Sequence, residues 1–148
     1  MAQDGLQKRD GHQFVDLFYG FDNQVAEWVR IELGMDVGFK DFSAIGITDG
    51  ERIIAGVVYS NYRHPNIEMS IASISPRWAT RRILKALFSY PFEQLGCNRV
   101  TGIVDKDAVS TRRFDERLGF VHEGTMREGN PAGDAEIYGM LKRECKWL

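Results

Sequence analysis

One stretch of the chain restricts the possible folds more than any other. In Asn66–Leu95 a strand pattern gives way to a turn and then to apolar residues at helical spacing, and a further strand pattern follows at Arg99–Val104. Two strands joined by a helix of this length favour a parallel or near-parallel pair, because the crossover returns the chain to the same end of the sheet. The sequence therefore predicts an α/β domain built around this unit.

Further strands are predicted on both sides of this unit. Asp49-Gly50 separates two apolar, β-branched runs, which predicts a hairpin with a type I′ turn and positive φ at both central residues. The second run is apolar on both faces, as is typical of a central strand. Gln13–Tyr19 fits a short strand or a helical turn. The other strands are predicted over Ala44–Thr48, Arg52–Tyr62, Ile67–Ile74, Val121–Met126 and Ala135–Leu141, with loops at 61–66 and 128–133.

Three helices are predicted from apolar residues at i, i+3 and i+4 spacing. The longest contains Pro91, which removes a backbone donor and predicts a kink or an early end. Asp22 and Asp107 are candidate N-caps, since a carboxylate can accept the first helical N–H groups. The predicted helices are Asn23–Leu33, Arg81–Leu95 and Asp107–Leu118, each followed by a glycine.

Composition limits the class of protein. The 148 residues, 43% of them hydrophobic, suffice for one domain with a core, so we expect a single domain over 1–148 with a flexible polar start at 1–12. Neither a bilayer-spanning run nor an apolar leader is present, which favours a cytoplasmic protein without membrane contact. Two cysteines indicate no disulfide framework and no metal site. The net charge of −2 argues against bulk nucleic-acid binding.

Positive charge is nevertheless concentrated around the start of the second helix. Residues 75–85, which we call the basic turn, contain Arg77, Arg81, Arg82 and Lys85 and no acidic residue. A helix start favours anions, because of its dipole and its unpaired first N–H groups. The turn therefore suggests a bound pyrophosphate, with a solvated basic helix face as the alternative.

Strings around this turn resemble the GNAT superfamily of acyl-CoA N-acyltransferases, from about Asp22 to the end of the chain. The resemblance is strongest to a subgroup common in phage and prophage genomes, whose turn reads RWxTR. It implies a GNAT-like α/β fold, with a mixed central sheet of six to seven strands splayed between strands 4 and 5 and helices on both faces. The matching strings are Glu68–Ser70, Arg77–Arg81, Tyr90–Cys97, Phe114–Phe120 and Asp134–Tyr138.

This resemblance implies an N-acetyltransferase that moves the acetyl group of acetyl-CoA directly to a primary amine in a ternary complex. The acceptor, a small molecule or a protein amine, is not specified, and no metal is implied. The pantetheine arm is expected along the free edge of residues 71–74, with the Ile74 N–H polarising the thioester carbonyl. The implied cofactor-binding residues are Ile71, Ala72, Ser73, Ile74, Arg77, Trp78, Ala79, Thr80, Arg81, Arg82, Ile83 and Leu84.

Two candidate catalytic residues follow from the same resemblance. Glu68 lies fourteen positions before Arg82, a distance similar to that of the general base in histone-type members, although a solvated strand-end Glu is the alternative. Tyr138 is a candidate general acid for the leaving thiolate, with a half-buried structural Tyr as the alternative. Trp78 fits either a cover over the cofactor or packing of the turn.

The sequence departs from the family pattern at several positions. The turn pattern Gln/Arg-x-x-Gly-x-Gly/Ala falls on residues 79–84, where Arg82 and Leu84 replace the glycines. The family's helix-starting Asn falls near Ala108, and its frequent Tyr falls on Asp115. These departures motivate an alternative, a non-catalytic acyl-CoA-binding module. A nucleotide or nucleic-acid binder is a third hypothesis, and Trp147-Leu148 is a candidate exposed tail for a homodimer contact.

Overall fold

A computed structural model describes residues 8–9 and 12–148, with side chains described from residue 14 onward. The predicted flexibility of residues 1–12 therefore falls mainly outside the described residues. The helices are α1 (Asp22–Leu33), α2 (Arg81–Ser89) and α3 (Val109–Leu118). The strands are β1 (Lys8–Arg9), β2 (His12–Gln13), β3 (Asp16–Phe18), β4 (Phe42–Thr48), β5 (Ile53–Arg63), β6 (Asn66–Ser73), β7 (Arg99–Asp105), β8 (Val121–Asn130) and β9 (Gly133–Leu141).

In the described part of the chain, the main sheet has seven strands in the order β3-β4-β5-β6-β7-β9-β8. β6 and β7 are parallel, whereas the pairs β3–β4, β4–β5, β7–β9 and β9–β8 are antiparallel. The register of β6 and β7 covers only Asn66–Glu68 and Arg99–Thr101, although β6 continues to Ser73 and β7 to Asp105. This mixed sheet with flanking helices confirms the predicted fold class, including the parallel pair across α2.

The chain divides into two compact units. Unit 1 comprises Met1–Asn61 and Ser70–Leu87, and unit 2 comprises Tyr62–Met69 and Phe88–Leu148. The single-domain prediction stays a prediction.

Unit 1 carries helices on both faces of its part of the sheet. α1 packs on Gly56 of β5 through Val25 and Val29, which are fully buried. Three positions along the same strand, the Tyr59 hydroxyl donates to the Leu87 carbonyl of α2 at 2.7 Å. Successive strand residues point to opposite faces, so Gly56 and Tyr59 face opposite sides of β5. α1 and α2 therefore lie on opposite faces of this part of the sheet.

Unit 2 places α3 against β9. The Arg112 and Glu116 side chains of α3 both bond the Tyr138 hydroxyl of β9. α3 ends as its glycine predicts, with Gly119 at φ 117° and the Phe120 N–H donating to the Asp115 carbonyl at 3.0 Å. Trp147 is half-buried rather than exposed, since its indole N–H donates to the Leu118 carbonyl at 2.9 Å. The expectation of an exposed aromatic tail was therefore wrong for Trp147.

Pro91 ends the second helix early, which is one of the two outcomes that the sequence predicted for it. α2 stops at Ser89, and one turn of π-helix, Tyr90–Gln94, follows it. The wider turn accommodates the proline because the Leu95 N–H reaches the Tyr90 carbonyl at 3.0 Å and the Cys97 N–H reaches the Pro91 carbonyl at 2.9 Å. Gly96 has φ 73°, the left-handed conformation that glycine favours.

The β4–β5 connection differs from the predicted type I′ turn. Only Gly50 has a positive φ, of 97°, within a connection spanning residues 49–52. The Asp49 carboxylate instead accepts the Glu51 and Arg52 N–H groups, both at 3.0 Å. A side chain that can satisfy two loop amides stabilises this longer turn over the two-residue one. The loop predicted at 61–66 is shorter, because β5 runs to Arg63 and β6 starts at Asn66, around a cis His64–Pro65 bond.

Both predicted N-caps were wrong. Asp22 is the first residue of α1 and its carboxylate accepts the Ala44 N–H at 3.3 Å, a tertiary partner that replaces the capping bond. The N-cap of α3 is Ala108, with no side-chain cap, while the Asp107 main-chain carbonyl accepts the Val109 N–H at 2.9 Å. The loop predicted at 128–133 is also reduced to a tight connection, since β8 extends to Asn130 and β9 starts at Gly133.

Candidate functional site

The basic turn lies wholly in unit 1, and its backbone is fixed by two hydroxyl side chains. Ser75 has an extended backbone, and its hydroxyl accepts the Arg77 N–H at 3.3 Å at the start of a short 3₁₀ turn, Pro76–Trp78. Thr80 caps α2, because its hydroxyl accepts the Ile83 N–H at 3.3 Å and its carbonyl accepts the Leu84 N–H at 2.9 Å. The amides of Ile83 and Leu84 are therefore occupied within the helix.

Apart from Pro76, the exposed side chains of this turn are basic or hydroxylic. Arg77 is exposed, and its Nε lies 3.3 Å from the Ser75 hydroxyl. Arg82 is also exposed, and its guanidinium bonds the Asp16 carboxylate at 2.9 Å and the Val15 carbonyl at 3.1 Å. Sequence reasoning missed Asp16, because it lies sixty-six positions earlier in the chain and nothing local marks the contact. Thr80 and Arg81 are exposed as well.

Four of the candidate cofactor-binding residues are buried in unit 1, so their side chains serve the core. Trp78 and Ile83 are fully buried, and Ala72 and Leu84 are nearly so. Of the two interpretations of Trp78, packing of the turn fits this burial better than a cover over a ligand. Ile71 and Ala79 are half-buried, whereas Ser73 and Ile74 are exposed.

The proposed role of the Ile74 amide was wrong. The Ile74 N–H donates to the Ile54 carbonyl of β5 at 2.9 Å, which leaves it no proton for a thioester carbonyl. The sequence pattern predicts the strand but not which edge each amide faces, and that depends on the register with β5.

Glu68 and Tyr138, the candidate catalytic residues, both lie in unit 2 but on opposite faces of the sheet. Glu68 is half-buried and aligns with Thr101 of β7, which aligns with Gly139 of β9. Aligned residues share a face and successive residues alternate, so Tyr138 points to the other side. The structure does not bring these two side chains together.

The face that carries Glu68 also carries a polar network that sequence reasoning missed. The Thr101 hydroxyl donates to Asn66 Oδ1 at 2.7 Å and accepts from Arg99 Nε at 2.9 Å. Arg99 then pairs with both carboxylate oxygens of Glu123, at 2.6 and 3.1 Å, over Gly139. The hydrogen bonds from Arg99 hold the pKa of Glu123 below its ordinary value. Arg99 and Thr101 are two positions apart on β7, with apolar Val100 between them. This alternation of polar and apolar residues is the sequence signal that could have revealed the polar face.

Tyr138 is fully buried and hydrogen-bonded on both sides. Its hydroxyl accepts from Arg112 Nε at 3.0 Å and donates to Glu116 Oε2 at 2.8 Å. Burial raises its pKa, an effect that Arg112 opposes and Glu116 reinforces. Beside it, the buried Glu136 accepts from His122 Nε2 at 2.6 Å and from the Thr125 hydroxyl at 2.8 Å, and the Thr125 bond, with that of His122, lowers the pKa of Glu136. These contacts tie α3 to β9 and β8.

Unit 2 also contains a recess of about 480 Å³, at the end of β7 and beside the β8–β9 connection. Its lining includes three carboxylates, from Asp105, Asp107 and Asp134, and one amine, from Lys106. Asp105 accepts the Asn130 amide at 2.6 Å, and Asp134 accepts the Glu128 N–H at 2.9 Å, so the walls are held in place by hydrogen bonds. The net charge of this lining is negative.

The described residues contain no assembled site for metal binding or for thiol chemistry. No group of three or more His, Cys, Asp or Glu side chains there could hold a metal ion. Cys97 is a buried free thiol whose pKa is raised by burial, and Cys145 is a half-buried free thiol. None of the helices in the described part of the chain is both long and apolar enough to cross a bilayer.

Comparison with solved structures defines the class of the fold. A protein described as a probable acetyltransferase superimposes with a TM-score of 0.57 at 25% identity, over 71% of this chain and 64% of its own. A candidate acetyltransferase from T. thermophilus gives 0.60 at 25% identity, over 78% and 65%. The chain thus spans about two thirds or less of the length of these relatives.

A mutant spermidine N-acetyltransferase from Vibrio cholerae matches over more of its length. Its TM-score is 0.66 over 90% of this chain and 96% of its own, at 15% identity, which shows the fold alone. No protein-family model matches the chain, and no curated protein matches it either. The fold is that of the GNAT-type acetyltransferases, as the resemblance in the sequence implied.

Proposed function

We propose that the chain is an N-acetyltransferase that transfers the acetyl group of acetyl-CoA directly to a primary amine. The observation that carries this proposal is the exposed group of three arginines in the basic turn, Arg77 before α2 and Arg81 and Arg82 at its start, in a fold shared with acetyltransferases. The RWxTR string, Arg77–Arg81, is the reason to propose the phage and prophage subgroup as well.

The residues of the basic turn fit a diphosphate. Arg77, Arg81 and Arg82 offer guanidinium forks, and no acidic residue lies in the first turn of α2 to compete locally. The amides of residues 83 and 84 are used by Thr80, and the N–H groups of Arg77, Ala79 and Thr80 are bonded within the turn, so binding would depend mainly on these side chains. Charged side chains would thereby take over part of the phosphate binding that glycine amides provide in the family that the sequence resembles.

Acetyl-CoA would supply an activated thioester, and the chain's own groups would orient it. Backbone groups alternate in direction along a strand, so the Ser73 N–H is expected to face the edge of β6 opposite to that of Ile74. We therefore propose Ser73, in place of Ile74, as the donor to the thioester carbonyl. Ile71, two positions earlier, would offer the same edge to the peptide-like pantetheine arm.

Glu68 is the proposed proton acceptor for the amine. Its carboxylate would take one proton from the bound ammonium, directly or through water, so that the neutral amine can attack the thioester carbonyl. The C–N bond then forms, a second proton leaves the nitrogen as the C–S bond breaks, and the departing thiolate would regain a proton from another donor. Tyr138 is the weaker candidate for that donor, because its hydroxyl proton is directed to Glu116 and its pKa is raised.

The acceptor is proposed to be a cationic amine. The carboxylate-lined recess in unit 2 would favour a positively charged compound over a neutral one. The spermidine N-acetyltransferase fold neighbour makes polyamines a reasonable first choice for an amine screen.

The first test is acetyl-CoA binding by calorimetry with the double variant Arg81→Ala and Arg82→Ala. Charge-assisted contacts are worth about 1.5–3 kcal/mol each, so even at the lower end we expect roughly a hundredfold weaker binding. The double variant Arg113→Ala and Arg117→Ala, exposed on α3, removes the same charge elsewhere and should leave affinity nearly unchanged. Equal affinity in wild type and the basic-turn variant would refute the diphosphate assignment.

Turnover separates the enzyme from its alternative, a non-catalytic acyl-CoA-binding module. Release of free thiol from acetyl-CoA, followed across a panel of amines, should require the amine and should follow its concentration. Tight binding with no thiol release from any amine would favour the binding module.

A further inference from the structure

The ion pair between Arg82 and Asp16 joins two parts of unit 1 that are far apart in sequence. Arg82 is the second residue of α2, and Asp16 is the first residue of β3, which pairs with Thr48 of β4. The guanidinium uses one nitrogen for Asp16 Oδ1 at 2.9 Å and another for the Val15 carbonyl at 3.1 Å. Both side chains stay in contact with solvent, at 62% and 38% exposure.

Asp16 supplies the negative charge that the start of α2 lacks. The first turn of α2 contains no acidic residue, yet it begins with two arginines, which oppose the helix dipole. A carboxylate brought in from β3 offsets part of that unfavourable charge. An incoming diphosphate would meet the same guanidinium group with a higher charge and more acceptor oxygens.

We propose that Asp16 competes with the diphosphate for Arg82. When the ligand binds, Arg82 exchanges the Asp16 carboxylate for the diphosphate. The inference rests on the proposed function and adds a residue that sets the affinity for coenzyme A. Because the pair is exposed, its loss is worth at most about a fivefold change in an equilibrium constant, so a diphosphate can displace it.

The geometry makes Asp16→Asn a selective probe of this exchange. Asp16 Oδ1 also accepts the Leu17 N–H at 2.8 Å, a bond that an asparagine oxygen can keep. The substitution therefore removes the charge while preserving the local turn and the strand pairing. Glu32→Gln, at an exposed position of α1, is the matched control for the change in net charge.

The experiment is a double-mutant cycle of Asp16→Asn and Arg82→Gln, measured by calorimetry with inorganic pyrophosphate and with coenzyme A. We expect Asp16→Asn to tighten binding of both ligands by about two- to fivefold, and to have no effect when Arg82 is already glutamine. Glu32→Gln should leave both affinities nearly unchanged.

Each outcome decides between the inference and the function on which it rests. Unchanged or weaker binding in Asp16→Asn, while wild type binds coenzyme A, would overturn the competitor and leave the proposed function standing. Tighter pyrophosphate binding in Asp16→Asn without any coenzyme A binding would support the competitor and overturn the proposed function. A gain that persists beside Arg82→Gln would show that Asp16 acts through general charge, and would overturn the exchange.

Discussion

Asp115 is a buried carboxyl group on α3, and its burial has a consequence for stability. The side chain is 7% exposed, and its pKa is raised from 3.8 to about 7, first by burial and second by the charge of Glu116. Between those two values the folded protein keeps a proton that the unfolded chain releases. Stability therefore falls as pH rises through this window, and the loss is complete above about pH 7, at roughly 4 kcal/mol.

Asp115→Asn should remove most of this pH dependence, because the amide carries no charge at any pH in the window. We expect the variant to unfold at higher urea than wild type at pH 8, by about 1–3 kcal/mol, and with little difference at pH 4. Urea unfolding at several pH values measures this. Asp107→Asn, which changes an exposed carboxyl just before the opposite end of α3, should track wild type, and parallel curves for Asp115→Asn and wild type would contradict the assignment.

The contact between α1 and β5 depends on a missing side chain. An ideal Cβ on Gly56 would lie 2.7 Å from Val29 Cγ2 and 3.1 Å from Val25 Cγ1, both in fully buried residues of α1. Branched side chains in a packed core cannot move away at low cost. The glycine therefore sets how closely the helix approaches the sheet.

Gly56→Ala should destabilise the protein by about 1–3 kcal/mol, since one methyl group overfills this contact. The midpoint of urea unfolding should fall while the slope stays the same. Gly38→Ala is the matched control, because no atom lies within 4 Å of the position its Cβ would take. If the two alanine variants were equally stable, the close approach of α1 would not be a significant constraint.

Across the molecule, the strand register decides which residues can act together. In unit 2 it separates Glu68 from Tyr138 by the sheet itself, and it places Tyr138 with Arg112 and Glu116 of α3. The two candidate catalytic residues are thus expected to differ in what their removal affects.

Glu68→Gln should lower kcat by about 10²–10⁴ if the carboxylate is the general base, with the unfolding midpoint little changed. Tyr138→Phe should instead lower the free energy of unfolding by about 1–2 kcal/mol, through the two lost hydrogen bonds, and change kcat only severalfold. Steady-state kinetics and urea unfolding on both variants test the contrast. A large loss of kcat in a stable Tyr138→Phe protein would identify Tyr138 as a general acid after all.

Local physics determined most of the elements from the sequence alone. The periodic apolar residues located the three helices and the main strands, and the crossover length gave the parallel pair of β6 and β7. Gly34 and Gly119 end their helices in the left-handed conformation, and Pro91 ends α2 early. The helix ends depend on residues within a few positions of one another, and the parallel pair follows from the length of the crossover, so the sequence alone indicates both.

Only the tertiary structure decided how the candidate site is connected. The Ile74 amide is bonded to Ile54, Arg82 to Asp16 and the Tyr138 hydroxyl to α3, and the carboxyl of Asp115 is buried. These outcomes depend on strand register and on which distant groups become neighbours. A one-residue change of register redirects every side chain and amide, and no local pattern encodes that choice.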